Sequence, residues 1–313
     1  MGKKLYAVII ILAIVAICYA AGYGCGRFMN RMLNKSIEYP QTAREDVVDN
    51  YFGTEVADPY RWLEDDNSEA TAAWVAAQNE VTFDYLHSLP SRDKIKSRLE
   101  QVWDYPTQSA PTKHGDWYYI SRNSGLQNQS VIYRKRDLES AEEEVFLDPN
   151  TLSEDGTVAL NTATFSKDGK LFAYSLASAG SDWVEIFVMD AESKTLLSDH
   201  IKWVKFSGAS WSPDNKGFYY SAYDAPKEGD ALYSAQNTNQ KVYYHRIGTS
   251  QSEDTLIYAD PSAPLHYFHG GESEDGKWIF ITGSAGTSGN EVLYKRKGEK
   301  RFNTLFEGFE YDY

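Results

Sequence analysis

Phe165-Ser166-Lys167-Asp168-Gly169-Lys170-Leu171-Phe172-Ala173-Tyr174 decides the fold, because its pattern returns downstream. Trp211-Ser212-Pro213-Asp214-Asn215-Lys216-Gly217-Phe218-Tyr219-Tyr220 is a second copy, and Glu272-Ser273-Glu274-Asp275-Gly276-Lys277-Trp278-Ile279-Phe280-Ile281 a third. A degenerate earlier copy is His114-Gly115-Asp116-Trp117-Tyr118-Tyr119-Ile120. Each joins a Ser- or Glu-rich turn, with Asp-Gly or Asn, to a run alternating aromatic with small side chains. Asp and Gly or Asn supply the local hydrogen bonding and positive φ of a tight turn, and period-two alternation marks a strand. Asp168 and Asp214 lie 46 residues apart, Asp214 and Asp275 61. That period fits one four-stranded propeller blade with variable loops. Trp183–Met189 and Lys241–Ile247 supply further strands between copies. The expected fold is mainly β: an N-terminal helical hairpin followed by an incomplete β-propeller with about four blade starts. The bland alternative is a β-sandwich with coincidental Asp-Gly turns.

Upstream of the repeats the texture is different. Residues 39–66 are irregular, broken by Pro40, Gly53 and Pro59. Asn67 or Ser68 can cap a helix over Glu69 to Ser88, in which Trp74, Ala77, Val81 and Tyr85 share one face. Leu89-Pro90 ends that helix and Ser91 caps a second one. Its Ile95, Leu99 and Val102 fall at i, i+4 and i+7, a stripe that reads as core packing. The domain scheme is a leader over residues 1–35, a helical segment over 36–104 and blades over 105–313.

Composition narrows the function classes. Of 313 residues, 42% are hydrophobic and 24% charged, which excludes wholesale disorder. The 23 Tyr against 4 Met favour pleated, half-buried surfaces. Net charge is −14. Residues 1–35 hold five bases (Lys3, Lys4, Arg27, Arg31, Lys35) and no acid, so the remainder carries −19. A body that acidic repels phosphate backbones, and no nucleic-acid partner is expected. The two cysteines, Cys18 and Cys25, both lie in the leader, which excludes a disulfide scaffold or cysteine metal site in the folded body.

That leader reads as an address. Lys3-Lys4 precede an uncharged stretch from Leu5 to Gly26, apolar from Leu5 to Ala21, with Arg27, Arg31 and Lys35 behind it. The 17 apolar residues are long for a signal-peptide core and short for a spanning helix. Cys18-Tyr19-Ala20 offers a cleavage site. Gly24-Cys25 resembles a lipoprotein acylation site, with Gly22 where a leucine is expected. The expectation is an exported, periplasmic or membrane-anchored protein, anchored through residues 5–26. A translation start at Met32 would remove the address and leave the chain in the cytoplasm.

Several further blocks carry a resemblance. They are Asp58-Pro59-Tyr60-Arg61-Trp62-Leu63-Glu64, Gly125-Leu126-Gln127-Asn128-Gln129, Phe146-Leu147-Asp148-Pro149-Asn150 and Leu152-Ser153-Glu154-Asp155-Gly156-Thr157-Val158-Ala159-Leu160. Gly180-Ser181-Asp182-Trp183-Val184, Tyr243-Tyr244-His245 and Gly248-Thr249-Ser250-Gln251-Ser252-Glu253-Asp254 follow. In this order, over about Tyr39 to Tyr313, they resemble the amino-terminal part of the prolyl oligopeptidase family of serine endopeptidases. The resemblance implies a helical segment packed on a catalytic domain, then a seven-bladed propeller, then an α/β-hydrolase domain carrying Ser, Asp and His. It matches this chain to the helical segment and about four blades, up to Phe309-Glu310-Tyr311-Asp312-Tyr313, with the catalytic domain absent. It also implies that Phe206, in Val204-Lys205-Phe206, helps line the distal end of a substrate pocket, on the propeller face opposite the catalytic domain. Blade core is the alternative role for Phe206. His269 stands where an apolar side chain is common in the family, and Gly283-Ser284-Ala285-Gly286 lacks an Arg and a Cys seen in some members. Asp182 reads as a turn-closing residue, or else as one facing the domain interface.

The residues themselves supply no catalytic set. An α/β-hydrolase serine needs a Gly-x-Ser-x-Gly elbow between strand and helix. Gly208-Ala209-Ser210-Trp211 lacks the second glycine, and Gly286-Thr287-Ser288-Gly289 has the wrong spacing. The six histidines (His87, His114, His200, His245, His266, His269) are scattered and read as surface or strand-packing residues. Glu64-Asp65-Asp66 and Glu142-Glu143-Glu144 read as solvated turns without calcium-loop spacing. No metal or cofactor motif is present. Two functions remain. One is the propeller portion of an endopeptidase that cleaves short peptides after proline, with proline-containing peptides as partners only when a catalytic domain is supplied in trans. The other is a membrane-tethered partial propeller binding a peptide or protein partner.

Overall fold

The computed structural model describes residues 37–227 and 236–313, so the leader over residues 1–35 lies outside the described residues. Among the described residues, no helix is long and apolar enough to cross a membrane. The chain divides into two compact units, with the division between Asp93 and Lys94.

The first unit begins with a hairpin of β1 (Val48–Tyr51) and β2 (Thr54–Ala57). Its two-residue turn places Phe52 and Gly53 at φ 54° and 95°, the doubly left-handed geometry that suits strand twist. The block around Arg61 folds as a short 3-10 turn, with the guanidinium on Asp49 and Asp58. Helix α1 (Glu69–Ser88) starts where the Ser68 hydroxyl accepts from Ala70 N and Thr71 N. Trp74, Ala77 and Val81 on its stripe are half-buried. The Trp74 indole donates to Thr42 Oγ1 at 3.0 Å and the Thr71 hydroxyl to Trp62 O at 3.2 Å.

Helix α2 (Arg92–Trp103) straddles the division. Its stripe does not pack as the spacing suggests: Ile95, Leu99 and Val102 are 55%, 52% and 48% exposed.

The second unit then builds four antiparallel blades in chain order. In the first, β3 (Thr107–Gln108) and β4 (Thr112–His114) flank one side of β5 (Trp117–Asn123), followed by β6 (Val131–Lys135) and β7 (Glu144–Leu147). The second is β8 (Val158–Phe165), β9 (Leu171–Ser178), β10 (Trp183–Asp190) and β11 (Leu196–Lys205). The third is β12 (Ser210–Trp211), β13 (Gly217–Ala222), β14 (Lys241–Arg246) and β15 (Thr255–Ala259). The fourth is β16 (Tyr267–Glu272), β17 (Trp278–Ser284), β18 (Glu291–Arg296) and β19 (Asn303–Phe306). The second and third blades share one backbone pairing between β11 and β13, Val204 with Ala222.

The repeated stretch is the turn into the second strand of its blade, and its hydrogen bonds repeat with it. The Ser166, Ser212 and Ser273 hydroxyls donate to Asp168, Asp214 and Asp275 at 2.8, 2.7 and 2.7 Å. Those carboxylates accept from the backbone of Lys170, Lys216 and Lys277 at 3.2, 3.2 and 3.1 Å. The intervening residue is left-handed each time: Gly169 at φ 72°, Asn215 at 59° and Gly276 at 67°. Gly169 is doubly constrained, since a Cβ there would stand 2.2 Å from Gly115 N in the corresponding turn of the first blade.

Blades stack through apolar layers. Tyr119, Phe146, Phe172, Tyr174 and Met189 fill the first junction. Val184, Ile186, Ile201, Trp211, Phe218 and Tyr220 fill the second, and Tyr219, Val242, Phe268, Ile279 and Ile281 the third. At the third, Gly270 lets β16 press against the third blade, because a Cβ would sit 2.5 Å from Val242 Cγ1.

Polar side chains cross each junction too. Gln129 takes the backbone of Val158 and Leu160 with both ends of its amide, each at 2.8 Å, while Asn150 fixes its main chain. Arg134, 3% exposed, donates to the Ala191 and Glu192 carbonyls and to Glu144. Glu144 therefore leaves the solvated turn expected for Glu142-Glu143-Glu144: it starts β7 and also binds Lys194 at 2.9 Å. Glu143 meanwhile pairs with Arg122. Across the third junction, the Tyr219 hydroxyl donates to Glu272 at 2.5 Å, and Glu272 accepts from Lys297.

Candidate functional site

Phe206 follows β11 directly and is not blade core. Its side chain is 48% exposed, with its ring edge-on to Tyr267 at 5.5 Å between centroids. The backbone presenting it is unusual. Trp203 and Phe206 adopt φ 60° and 55°, a region that bulky side chains rarely occupy. Residues in such conformations concentrate at binding and active sites, where surrounding contacts hold them in place.

The surrounding contacts are specific. Gln240, 1% exposed, donates to Lys205 O at 3.0 Å and accepts from Phe268 N at 2.7 Å. One amide thus ties the segment before Phe206 to the strand carrying Tyr267. The Ser207 hydroxyl accepts from Ser221 N at 2.9 Å. Lys205 is nearly buried; its Nζ lies 5.3 Å from the Phe206 ring centre, 5.2 Å from that of Trp183 and 3.9 Å from Asp182. Trp183 is edge-on to both Trp203 and Tyr223. The result is an aromatic wall around one ammonium, with the Phe206 ring half open to solvent. It suits contact with an apolar or planar group. Asp182 is the ammonium's partner here, and its turn is closed by Ser181, whose Oγ accepts from Trp183 N at 3.0 Å.

A cavity of about 810 Å³ opens between the first strands of the blades, with Thr112, His114, Phe165, Ser210, Trp211 and Glu272 in its lining. His114 stacks on Phe165 at 4.3 Å, and burial pushes its pKa down, so the ring is neutral near pH 7.

The other sequence candidates fall apart in space. Ser210 sits on β12 opposite Tyr219, and Ser288 in the loop between β17 and β18; neither precedes a helix. His269 is an exposed residue of β16 paired with Thr282, and His200 bonds Glu185 at 2.5 Å. Among the described residues no serine hydroxyl shares a hydrogen bond with a histidine, and no His/Cys/Asp/Glu group has metal-holding geometry.

His245 was hidden from sequence reasoning. It is 0% exposed, with Nδ1 2.7 Å from Asp254 Oδ1 and Nε2 3.0 Å from Asp199 Oδ1. The blocks holding His245 and Asp254 were visible, but their partner Asp199 lies 46 residues upstream in a stretch without pattern.

Comparison with known proteins agrees with the architecture. Residues 40–313 match the family model described as the prolyl oligopeptidase N-terminal β-propeller domain. The chain is 45% identical over 275 residues to a prolyl endopeptidase of Elizabethkingia meningoseptica, covering 88% of this chain and 38% of that protein. It is 42% identical over 300 residues to a prolyl endopeptidase of Elizabethkingia miricola, covering 96% and 41%. A solved structure from a study of two prolyl endopeptidases superposes with a TM-score of 0.76 at 33% identity, over 87% of this chain and 40% of that one. Substrate-bound prolyl oligopeptidase B of Galerina marginata gives 0.73 at 31%, over 87% and 41%. The chain therefore spans about two fifths of the length of these relatives. On these grounds the protein belongs to the prolyl oligopeptidase family and carries that family's N-terminal β-propeller domain.

Proposed function

We propose that this chain is the propeller portion of a prolyl oligopeptidase-like serine endopeptidase that cleaves short peptides after proline. The observation that carries the reading is the match over residues 40–313 to the family's propeller domain, realised as four consecutive blades. In this reading the propeller shapes access and the far end of the peptide site, while a separate α/β-hydrolase domain supplies Ser, Asp and His. Phe206 contributes an apolar contact to the bound peptide. Its exposure, its left-handed backbone and its Gln240 clamp support that role. The uncharged Leu5–Gly26 stretch behind Lys3-Lys4, apolar from Leu5 to Ala21, supports export or anchoring of the whole at a membrane.

The test is turnover of a Gly-Pro chromogenic substrate by the purified chain, alone and mixed with a hydrolase domain of the same family. The expected result is no turnover alone and turnover in the mixture. A rate above blank from the chain alone, abolished by a serine-directed phosphonate, refutes the reading.

A further inference from the structure

Asp199, His245 and Asp254 come from β11 of the second blade, β14 of the third, and the residue that follows a 3-10 turn (Gln251–Glu253). All three side chains are essentially fully buried, at 1%, 0% and 1% exposure. We propose that this triad is a pH-responsive staple between the second and third blades: an imidazolium bridge holds β11 to β14, and loss of its proton releases the link. The inference stands apart from the proteolytic reading and does not depend on it.

The geometry sets the protonation state. An ionised carboxylate offers only acceptors. Both ring nitrogens face carboxylate oxygens, at 2.7 and 3.0 Å, so both must carry hydrogen and the ring is cationic. The remaining neighbours are donors to the acids or neutral groups. Gly248 N donates to Asp199 Oδ1 at 2.6 Å, and the Tyr220 hydroxyl to Asp254 Oδ2 at 2.6 Å. Burial and the Asp254 bond push the Tyr220 pKa upward, and burial does the same for Tyr243, so both phenols stay neutral. Gln251 joins Tyr220 to the Lys202 carbonyl, and the Phe218 ring lies 5.2 Å from the imidazole. The Glu185–His200 pair lies on β10 and β11 and is part exposed. Among the described residues no lysine or arginine forms an ion pair with Asp199 or Asp254.

A neutral ring could donate to only one acid. The other would face a ring lone pair with no compensating charge, the most destabilising outcome for a buried ion group. Little backbone replaces the staple, since β11 and β13 share one pairing. Strand β11 also ends one residue before Phe206, so the staple anchors the strand that carries the aromatic wall.

The sign follows. Burial lowers the His245 pKa, but the bonds to Asp254 and Asp199 outweigh it and leave it raised. A raised folded value means the staple is fully effective below the ordinary histidine pKa of about 6.5. It weakens as pH climbs toward the folded value and is lost above it.

Two measurements on the full 313-residue chain test this. Nitrogen-15 NMR of histidine reads His245 directly: both ring nitrogens should be mostly protonated at the ordinary histidine value, with the titration midpoint above it. Amide exchange by mass spectrometry, corrected for intrinsic rate, should quicken with pH over residues 196–205 and 241–246. The rise should reach about tenfold per pH unit between the ordinary and raised values, then level off. Residues 291–296 of the fourth blade should not follow. H245Q should exchange fast at every pH with the dependence gone. A neutral ring in that NMR spectrum, an equal rise in the fourth blade, or an unchanged pH dependence in H245Q overturns the proposal. Should H245Q not fold, the wild-type data still decide: exchange and ring titration must share one midpoint, and separate midpoints overturn it.

Discussion

Replacing Arg134 with leucine should loosen the junction between the first and second blades. Arg134 is 3% exposed, and its guanidinium lies 4.1 Å from the Trp117 ring centre. It donates to the Ala191 and Glu192 carbonyls and to Glu144. Ala191 is 1% exposed, so its carbonyl is orphaned in Arg134→Leu, at about 1–3 kcal/mol. Glu192 and Glu144 reach water and cost little. Loss of the cation over Trp117 adds about 1–2 kcal/mol at a desolvated site. The leucine returns some apolar contact, so the net destabilisation is about 3 kcal/mol. With a urea m-value of about 3 kcal/mol/M for a body this size, the midpoint should fall by about 1 M. Arg134→Lys keeps the charge but loses the fork that reaches two carbonyls and a carboxylate, and should lose about half as much. Urea unfolding followed by tryptophan fluorescence and circular dichroism measures both. A leucine variant within about 0.5 kcal/mol of wild type would refute the junction role, being the scatter expected of a surface change.

Gly270→Ala should cost about 1–3 kcal/mol, because the new methyl meets Val242, which is 0% exposed and cannot retreat. Adding Val242→Ala should recover part of the loss in the same urea experiment. Asp275 titrates at about 2, held down by Lys277, then by Ser273 and the Lys277 backbone. Its turn is therefore supported above the ordinary carboxylate value and loses that support as pH falls through about 2. Lys277→Ala should move the carboxylate resonance titration upward, and an unmoved NMR midpoint would rule out the lysine as main cause. In an assembled enzyme, Phe206→Ala should raise KM for peptides long enough to reach the propeller by about tenfold, the scale of one lost buried aromatic contact, with kcat nearly unchanged. An equal rise for the shortest substrates would remove Phe206 from the distal site.

What the sequence makes legible here is what is bonded locally. Each entry turn of the second to fourth blades is a hydroxyl, a carboxylate and a backbone N–H within five residues, so Ser166, Asp168 and Gly169 show themselves by spacing. The same holds for Ser250 and Glu253, which cap one another three residues apart. Strand order follows from those turns, since consecutive strands pair in the second to fourth blades. The α2 stripe shows the limit of periodicity: Ile95, Leu99 and Val102 share a face by arithmetic, but arithmetic cannot say what covers it. Junction contacts were illegible for a related reason. Arg134 answers to Ala191, and His245 to Asp199, at separations of 57 and 46 residues that no pattern marks. Even Phe206, quoted for its match, owes its setting to Gln240, 35 residues from the carbonyl that it holds.

Those distant contacts differ in a way that bears on pH. The first junction is crossed by a guanidinium, which does not titrate in water. The third is crossed by a phenol, a carboxylate and an ammonium. Burial and Glu272 push the Tyr219 pKa upward; for Lys297 burial works downward, but the bond to Glu272 prevails and leaves it raised. Neither changes charge near neutrality. Among the described residues, only the second junction is bridged by hydrogen bonds of a group whose ordinary pKa lies inside the physiological range; His114 meets the first junction only as a ring stacked on Phe165, and burial keeps it neutral. Any loosening as pH rises above the ordinary histidine value should therefore begin between β11 and β14 and leave the Arg134 and Glu272 junctions closed. Exchange that rises first in β6 or β16 over that climb would mean that the imidazolium is not the weakest link among the three.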